Sequence, residues 1–283
     1  MDITNDVRTK VLIQALPYIQ KYYNKVVVVK YGGNAMTDEN LKKSVIEDVV
    51  LLSLIGMKVV LIHGGGPEIS GMLTKLGMKS EFIDGLRVTD KDTVEVVQMI
   101  LAGKINKDLV NYVQAAGGKA IGLSGIDAKI IEAKPINKKL GFVGEITNIN
   151  PTPILELLNL GYIPVISTVA SDKEGNTYNI NADTAAARIA GALEAESFLS
   201  LTDVIGLLKD KDDPTSLISS VNVSEVKSLV KEGIISGGMI PKVECCCEAI
   251  RRGVKKVFII DGRVPHSILI ELLSDEGIGT MFT

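Results

Sequence analysis

Two spacings of apolar residues alternate along the chain. Short apolar runs, β-branched in the first of them, occupy residues 25–31 (KVVVVKY), 58–62 (KVVLI), 120–123, 162–168, 197–201 and 256–260. Such runs, bounded by turn residues, predict strands buried on both faces of a sheet. Between them, apolar positions recur three to four residues apart, as in Leu41, Val45, Val49 and Leu52, and predict helices. Gly56 stops that helix, Pro67 suits the first turn of the next and Gly77 ends it. Thr89-Asp90 caps a helix to about residue 102, and a second helix is expected over 105–116. Residues 129–150 alternate as a hairpin, 153–160 form a short helix, and the alanine-rich stretch 184–193 forms another. Helices follow at 224–231, after Ser236-Gly237-Gly238-Met239, and near 266–273. Strand–glycine loop–helix repeats of this kind predict parallel βαβ units.

Residues 1–24 stand apart. Val7, Val11, Ala15 and Ile19 keep helical spacing, and Pro17 inside the pattern predicts a kink. This helix either docks on its own domain or forms an arm for another subunit.

Candidate chemistry sits where strands meet helices. Gly32-Gly33, Gly64-Gly65-Gly66 and Gly237-Gly238 follow predicted strands or precede helices. Glycine there lets backbone N–H groups approach an anion, although tight βα turns use the same residue. In open α/β sheets ligands bind beyond the carboxyl ends of the strands. The usual motifs are missing: there is no G-x-x-x-x-G-K-[ST], Ile69 replaces the third glycine of a dinucleotide fingerprint, and no G-x-S-x-G accompanies the HGGG string. Lys30 ends an apolar strand, either as a snorkelling cation or as a phosphate partner. Lys242 lies one turn into a helix after Gly237-Gly238. Arg87, in DGLRVT, is either a carboxylate clamp or half of a surface ion pair. Asp183 opens a helix as a cap or as a charge partner. Asn179 and Asn181 share one strand face, as turn residues or ligand contacts.

Composition narrows the chemistry. The 283 residues carry 31 Lys+Arg against 34 Asp+Glu, and aromatics are 4% with no Trp. No basic block gathers, which argues against a nucleic-acid binder. The start of the chain lacks an apolar stretch behind a basic one, and 157–171 is too short and polar to span a bilayer, so a cytoplasmic protein without a membrane partner is expected. The three cysteines are consecutive (245–247); neighbours on a helix point about 100° apart, so they serve as packing residues rather than one metal site. With only two histidines, His63 and His266, chemistry rests on Lys, Arg, Asp, Asn and backbone amides.

The strings VVVVKYGGNAM, VVLIHGGGPEIS, GLRVT, NINADTAAARIA and GIISGGMIPKV occur in this order. Together they resemble the N-acetyl-L-glutamate kinases of the amino-acid kinase family, and the resemblance runs from about residue 25 to 280. It implies an α/β fold: a three-layer αβα sandwich around a mainly parallel open sheet of about eight strands. It implies a lobe at 25–180 that binds the amino acid and dimerises, and a lobe at 181–283 that binds ATP. Lys30 and Lys242 would stabilise the migrating phosphoryl group and Asp183 would organise them. Gly65, Gly66, Arg87 and Asn179 would hold N-acetyl-L-glutamate, and the Gly33, Gly237 and Gly238 backbones would face phosphate. Mg²⁺ would ride mainly on the nucleotide phosphates, with no side-chain metal ligand. The 1–24 helix resembles that of the arginine-inhibited branch, in which such helices interlace homodimers into a hexamer. L-arginine would then bind near this helix and the C-terminal stretch, with His266 and Glu276 as contacts or as caps. The nearest rival substrate is an N-modified 2-aminoadipate, one methylene longer; a non-catalytic sensor would not need both lysines.

Overall fold

Each unbroken apolar run becomes a strand, and each run of helical spacing a helix on one side of the strands. The computed structural model describes residues 4–36 and 38–283. In chain order its elements are α1 (Asn5–Tyr22), β1 (Val26–Tyr31), α2 (Glu39–Leu54), β2 (Lys58–His63), α3 (Gly66–Lys75), β3 (Phe82–Ile83), β4 (Leu86–Arg87), α4 (Lys91–Gln98), α5 (Asn106–Ala115), β5 (Ala120–Ser124), β6 (Ile131–Pro135), β7 (Gly144–Ile149), α6 (Thr152–Asn159), β8 (Ile163–Ser167), β9 (Val169–Ser171), β10 (Thr177–Asn179), α7 (Ala182–Ala192), β11 (Ser197–Thr202), β12 (Ser220–Val221), α8 (Val226–Lys231), α9 (Met239–Arg251), β13 (Lys256–Asp261), α10 (Ser267–Leu273) and β14 (Thr280–Phe282).

Eight strands form one sheet in the order β12-β14-β13-β11-β1-β2-β8-β5. All its pairings are parallel except β13 with β14. Alternation along β1 decides which layer each side chain enters. Val27, Val29 and Tyr31 join the core that includes Val45, Val49 and Leu52 of α2. Val28 joins the opposite core, with Ala185, Ala186 and Ile189 of α7 and Val243 and Cys246 of α9. Lys30 shares the Val28 face, so its side chain emerges on the layer that carries α7 and α9. The three layers expected from the sequence are therefore present, and they place one buried cation among particular helices.

β1 lies between β2, which precedes β8 and β5, and β11, which precedes β13 and β14. The sheet thus grows in both directions from β1, and a crevice opens beyond the carboxyl ends of the central strands. A second sheet, β10-β9-β6-β7, contains the expected hairpin as β6 and β7 and brings Asn179 to the same end.

α1 continues past Pro17 as one helix, as its spacing predicts; one lost N–H bond is tolerable where the neighbouring turns keep theirs. Two features depart from the sequence pattern. The two helices expected over 89–116 form one helical run, because a π-helical segment, Met99–Ile105, joins α4 to α5. Gly103 marked no break there. The short hairpin β3–β4 and the antiparallel β14 have no periodicity long enough to read.

α10 is pinned to α2 by a buried carboxylate. Asp48 is fully buried, its Oδ1 lies 2.6 Å from His266 Nδ1, and the amides of Ile268 and Leu269 face it. Burial pushes the Asp48 carboxyl up to about 6 against the pull of His266 and those amides. That lies above the ~3.9 of an unfolded aspartate. The folded state therefore keeps the proton longer, and the stability it contributes is full below about pH 4 and lost as pH rises through about 6. Thermal melts of the wild type and Asp48→Asn should show their Tm difference moving against the wild type between pH 4 and 7 and levelling above. A difference independent of pH would refute this account of Asp48.

Candidate active site

The Lys30 ammonium reaches Asp183 from below and the Lys242 ammonium reaches it from the side. Lys30 Nζ lies 2.9 Å from Asp183 Oδ1, and Lys242 Nζ lies 3.5 Å from Oδ2. Lys30 is buried at the carboxyl end of β1. Asp183 stands in the first turn of α7, where Asn181 Oδ1 accepts from the Thr184 N–H at 3.0 Å and caps the helix. Lys242 stands in the first turn of α9, which packs against α7. Burial by itself would raise the Asp183 pKa; Lys30 first and Lys242 second outweigh it and hold the carboxyl below the ordinary aspartate range. The aspartate is thus ionised throughout the neutral range. Gly32 leaves room for this arrangement, since a Cβ there would stand 3.2 Å from Lys30 Nζ.

A cavity of about 300 Å³ lies beside Lys30 at the strand ends; Asp183 and Lys242 do not line it. Lys30, Gly33, Gly65, Gly66, Arg87 and Asn179 all line it. Gly33 has φ +73°, a left-handed conformation, and a Cβ would press on the Asp203 carboxylate, so glycine is required twice over. Gly65 is closed in from behind: a Cβ would overlap Ile105 and Leu101 of the π-helical segment. Pro67 sits in the first turn of α3, where its missing N–H costs nothing.

Arg87 is buried and held in place. Its Nη1 donates to Ser80 Oγ at 2.8 Å, and its Nη2 to Gly66 O at 3.0 Å and Ser70 Oγ at 2.8 Å. The guanidinium also lies over the Phe82 ring, 4.7 Å from its centroid. Its acceptors are neutral, so the positive charge has no carboxylate among these partners and faces the cavity uncompensated. Desolvation lowers its pKa, though an arginine stays protonated. Asn179 Nδ2 donates to Thr89 Oγ1 at 3.3 Å, and Thr89 in turn donates to Arg87 O at 2.8 Å. The surface ion pair admitted for Arg87 is absent among the described residues. Ser80 and Phe82 lie outside every motif in the sequence, and Ser70 and Thr89 end two of the quoted strings without having been marked as partners of Arg87 or Asn179.

Other candidate residues lie elsewhere. Gly237 and Gly238 are exposed at the start of α9 and do not line the cavity; Gly237 has φ +53°. His266 pairs with Asp48, and Glu276 is exposed beyond α10. Neither lines the separate cleft of about 280 Å³ formed by α1 and the C-terminal stretch, which includes Tyr18, Lys21, Glu271 and Asp275. Cys246 and Cys247 are buried on α9 and all three cysteines are free, as packing residues would be. Among the described residues no three His, Cys, Asp or Glu side chains gather to hold a metal ion. Both Asp183 oxygens face ammonium groups, so the donors here suit phosphate oxygens rather than direct coordination of a cation. No helix among the described residues is long and apolar enough to cross a membrane.

Comparison with known proteins bears on the fold and the family of the chain. The N-acetylglutamate synthase of Neisseria gonorrhoeae, solved with coenzyme A and N-acetyl-glutamate, superposes with a TM-score of 0.85 over 97% of this chain at 24% identity. This chain spans 63% of that synthase, and the likeness concerns the fold. The acetylglutamate kinase of Brachyspira hyodysenteriae is 53% identical over 99% of this chain and 98% of its own length. That of Clostridium kluyveri is 56% identical over 96% and 97%. The family model of the amino acid kinase family matches residues 25–261. Agreement of this extent, along nearly the whole length, leaves one conclusion: the chain belongs to the amino acid kinase family, in its acetylglutamate kinase branch.

Proposed function

We propose that this chain transfers the γ-phosphoryl group of ATP to the side-chain carboxylate of N-acetyl-L-glutamate. The products are N-acetyl-L-glutamyl 5-phosphate and ADP, in the second step of arginine biosynthesis. The observation that carries the mechanism is a cavity lined by Lys30 and by a buried guanidinium, with Asp183 tying Lys30 to Lys242 just beyond its lining. Arg87 and Asn179 bind the amino acid, with the amides of Gly65 and Gly66. Lys30, Lys242 and the Gly33 amide meet the phosphoryl group, and Gly237 and Gly238 face the nucleotide phosphates as α9 approaches. Residues 25–180 act as the amino-acid lobe and 181–283 as the nucleotide lobe.

A glutamate side chain titrates near ~4.3, so the nucleophile is already ionised at neutral pH and needs no general base. The obstacle is repulsion between that anion and the phosphate, about 4 kcal/mol for unit charges ~4 Å apart at an effective dielectric of ~20. Lys30 and Lys242 offset it, most strongly as charge spreads over the equatorial oxygens. Mg²⁺, carried on the nucleotide phosphates, would neutralise further charge. Exclusion of water by the lobes would protect the acyl phosphate product.

α1 supports an oligomeric reading. Val7, Val11, Leu12, Ile13 and Leu16 are exposed, whereas Tyr22 is buried and Tyr18 hydrogen-bonds Asp275. An apolar stretch with no cover of its own fits docking onto other subunits, here a trimer of homodimers. L-arginine fits the cleft beside α1, where Glu271 and Asp275 offer carboxylates to a guanidinium. His266 and Glu276 flank the α10 wall of that cleft and act through it. The reaction takes place in the cytoplasm.

An ADP-release assay with N-acetylglutamate, glutamate, aspartate and N-acetyl-2-aminoadipate should give turnover with the first alone; equal turnover with the longer acid would refute the assignment. Lys242→Ala should lower kcat by about 100-fold or more with little change in the N-acetylglutamate KM. Arg87→Ala should instead raise that KM by about 10- to 100-fold, as expected for lost hydrogen bonds to a charged group. The reverse pattern would overturn both roles. Removal of residues 1–16, which spares Tyr18 and Tyr22, should leave an active dimer by light scattering; a hexamer after truncation would rule out the arm.

A further inference from the structure

His63 ends β2 directly before the glycine loop and is fully buried, yet the mechanism above gives it no task. Its partners define its protonation. The Asn106 side chain, at the junction of the π-helical segment and α5, has its amide orientation fixed from both ends. Lys107 Nζ donates to Asn106 Oδ1 at 3.0 Å. Asn106 Nδ2 donates to Val165 O at 2.9 Å and to Leu123 O at 3.1 Å. Backbone carbonyls only accept, so this nitrogen cannot be the oxygen. The same Nδ2 lies 3.2 Å from His63 Nε2. Both Nδ2 hydrogens already point at carbonyls, so Nε2 at most shares one of them; the tautomer follows from the other ring nitrogen, because Gly64 O can only accept and the ring proton therefore sits on Nδ1. Nδ1 lies 2.9 Å from Gly64 O and donates to it.

This bond acts on the neighbouring peptide. Gly64 N–H is already bound to Tyr31 O at 3.1 Å. With Gly64 O turned toward the buried imidazole, the planar trans peptide turns the Gly65 N–H the opposite way, away from the ring, in a loop whose two glycines both line the cavity. No side chain from the loop itself could do this without filling the cavity. The network has its own space requirement: a Cβ on Gly122 of β5 would overlap Asn106 Oδ1 and crowd Lys107 Nζ.

We infer that His63 is a positioning residue: as a neutral Nδ1–H imidazole, oriented by Asn106 and Lys107, it fixes the Gly64–Gly65 peptide so that its amide faces the anionic amino-acid substrate. The inference rests on the substrate assignment above and extends it to residues that never touch the substrate. It also explains why a histidine beside an anion site brings no positive charge. Burial pushes the ring down to about 4, with Lys107 adding to the shift and the Gly64 carbonyl opposing it, so the ring is neutral at working pH.

Three variants and one spectrum test it. His63→Leu should lower kcat/KM for N-acetylglutamate by about 100-fold while the KM for ATP changes little. His63→Asn places an amide nitrogen at the Nδ1 position and should recover activity to within about tenfold of wild type, whereas His63→Gln, which reaches the Nε2 position, should not. Equal losses in all three would assign His63 a purely structural role and overturn the inference, as would an unimpaired leucine variant. Nitrogen-15 NMR of the labelled wild-type imidazole, independent of any variant's folding, should show protonated Nδ1 and bare Nε2 from pH 5 to 8; the opposite tautomer, or a titration near 6.5, would also overturn it. If the wild type itself failed to phosphorylate N-acetylglutamate, the substrate assignment would fall, and the NMR result would still stand or fall by itself.

Discussion

The site depends on one carboxylate placed between two ammonium groups. Lys30 and Lys242 come from different elements far apart in the chain, and both reach the Asp183 carboxylate. Unit charges about 6 Å apart repel by about 3 kcal/mol at an effective dielectric of ~20. Alone, the pair would spread apart. Asp183 gives each ammonium one oxygen, so the cluster keeps two donors in place and carries one net positive charge. In the role proposed above, that residual charge would assist a migrating phosphoryl group.

The position of Asp183 follows from helix and strand geometry rather than from the loop it borders. Alternation along β1 sends Lys30 into the layer where α7 begins, and α9 packs against α7 so that its first turn faces the same spot. The packing of Ala185, Ala186 and Ile189 under Val28 is thus also what sets the reach between the ion-pair partners. Small side chains on α7 let the helix lie close to the sheet, which keeps a buried lysine within hydrogen-bonding distance of the helix's first turn. Core packing and site geometry are one constraint here.

That economy explains what the sequence could reveal. Lys30, Asp183 and Lys242 each sit beside a glycine cluster or a helix start, so local pattern marked them and the family resemblance gave them roles. The strand runs, the parallel βαβ units and the hairpin expected over 129–150 followed from local pattern, and the three-layer sandwich from the family resemblance. The cradle of Arg87 did not, because Ser70 and Ser80 meet the guanidinium only after α3 and the loop before β3 have folded, and no spacing rule links them. The π-helical junction was invisible for another reason: one extra residue per turn leaves the apolar repeat intact over so short a segment. The antiparallel β14 was equally silent, since three residues carry no period.

The π-helical segment also shows why the amino-acid end of the cavity is rigid. Its side chains Leu101 and Ile105 close against Gly65 from one side, while Asn106, the next residue after the segment, engages His63 below the same loop. A regular α-helix would rotate residues 105 and 106 relative to 101 by the angle of the inserted residue, and both contacts could not be met together. One irregular turn therefore serves two needs: it packs an apolar wall against a glycine that must stay bare, and it presents a polar side chain to a histidine that must stay neutral. Under the proposed roles, the ammonium end would meet the phosphate with two long side chains tied to one carboxylate, whereas the amino-acid end would be made of backbone held by packed side chains, a division suited to holding a carboxylate nucleophile still while the electrophile travels.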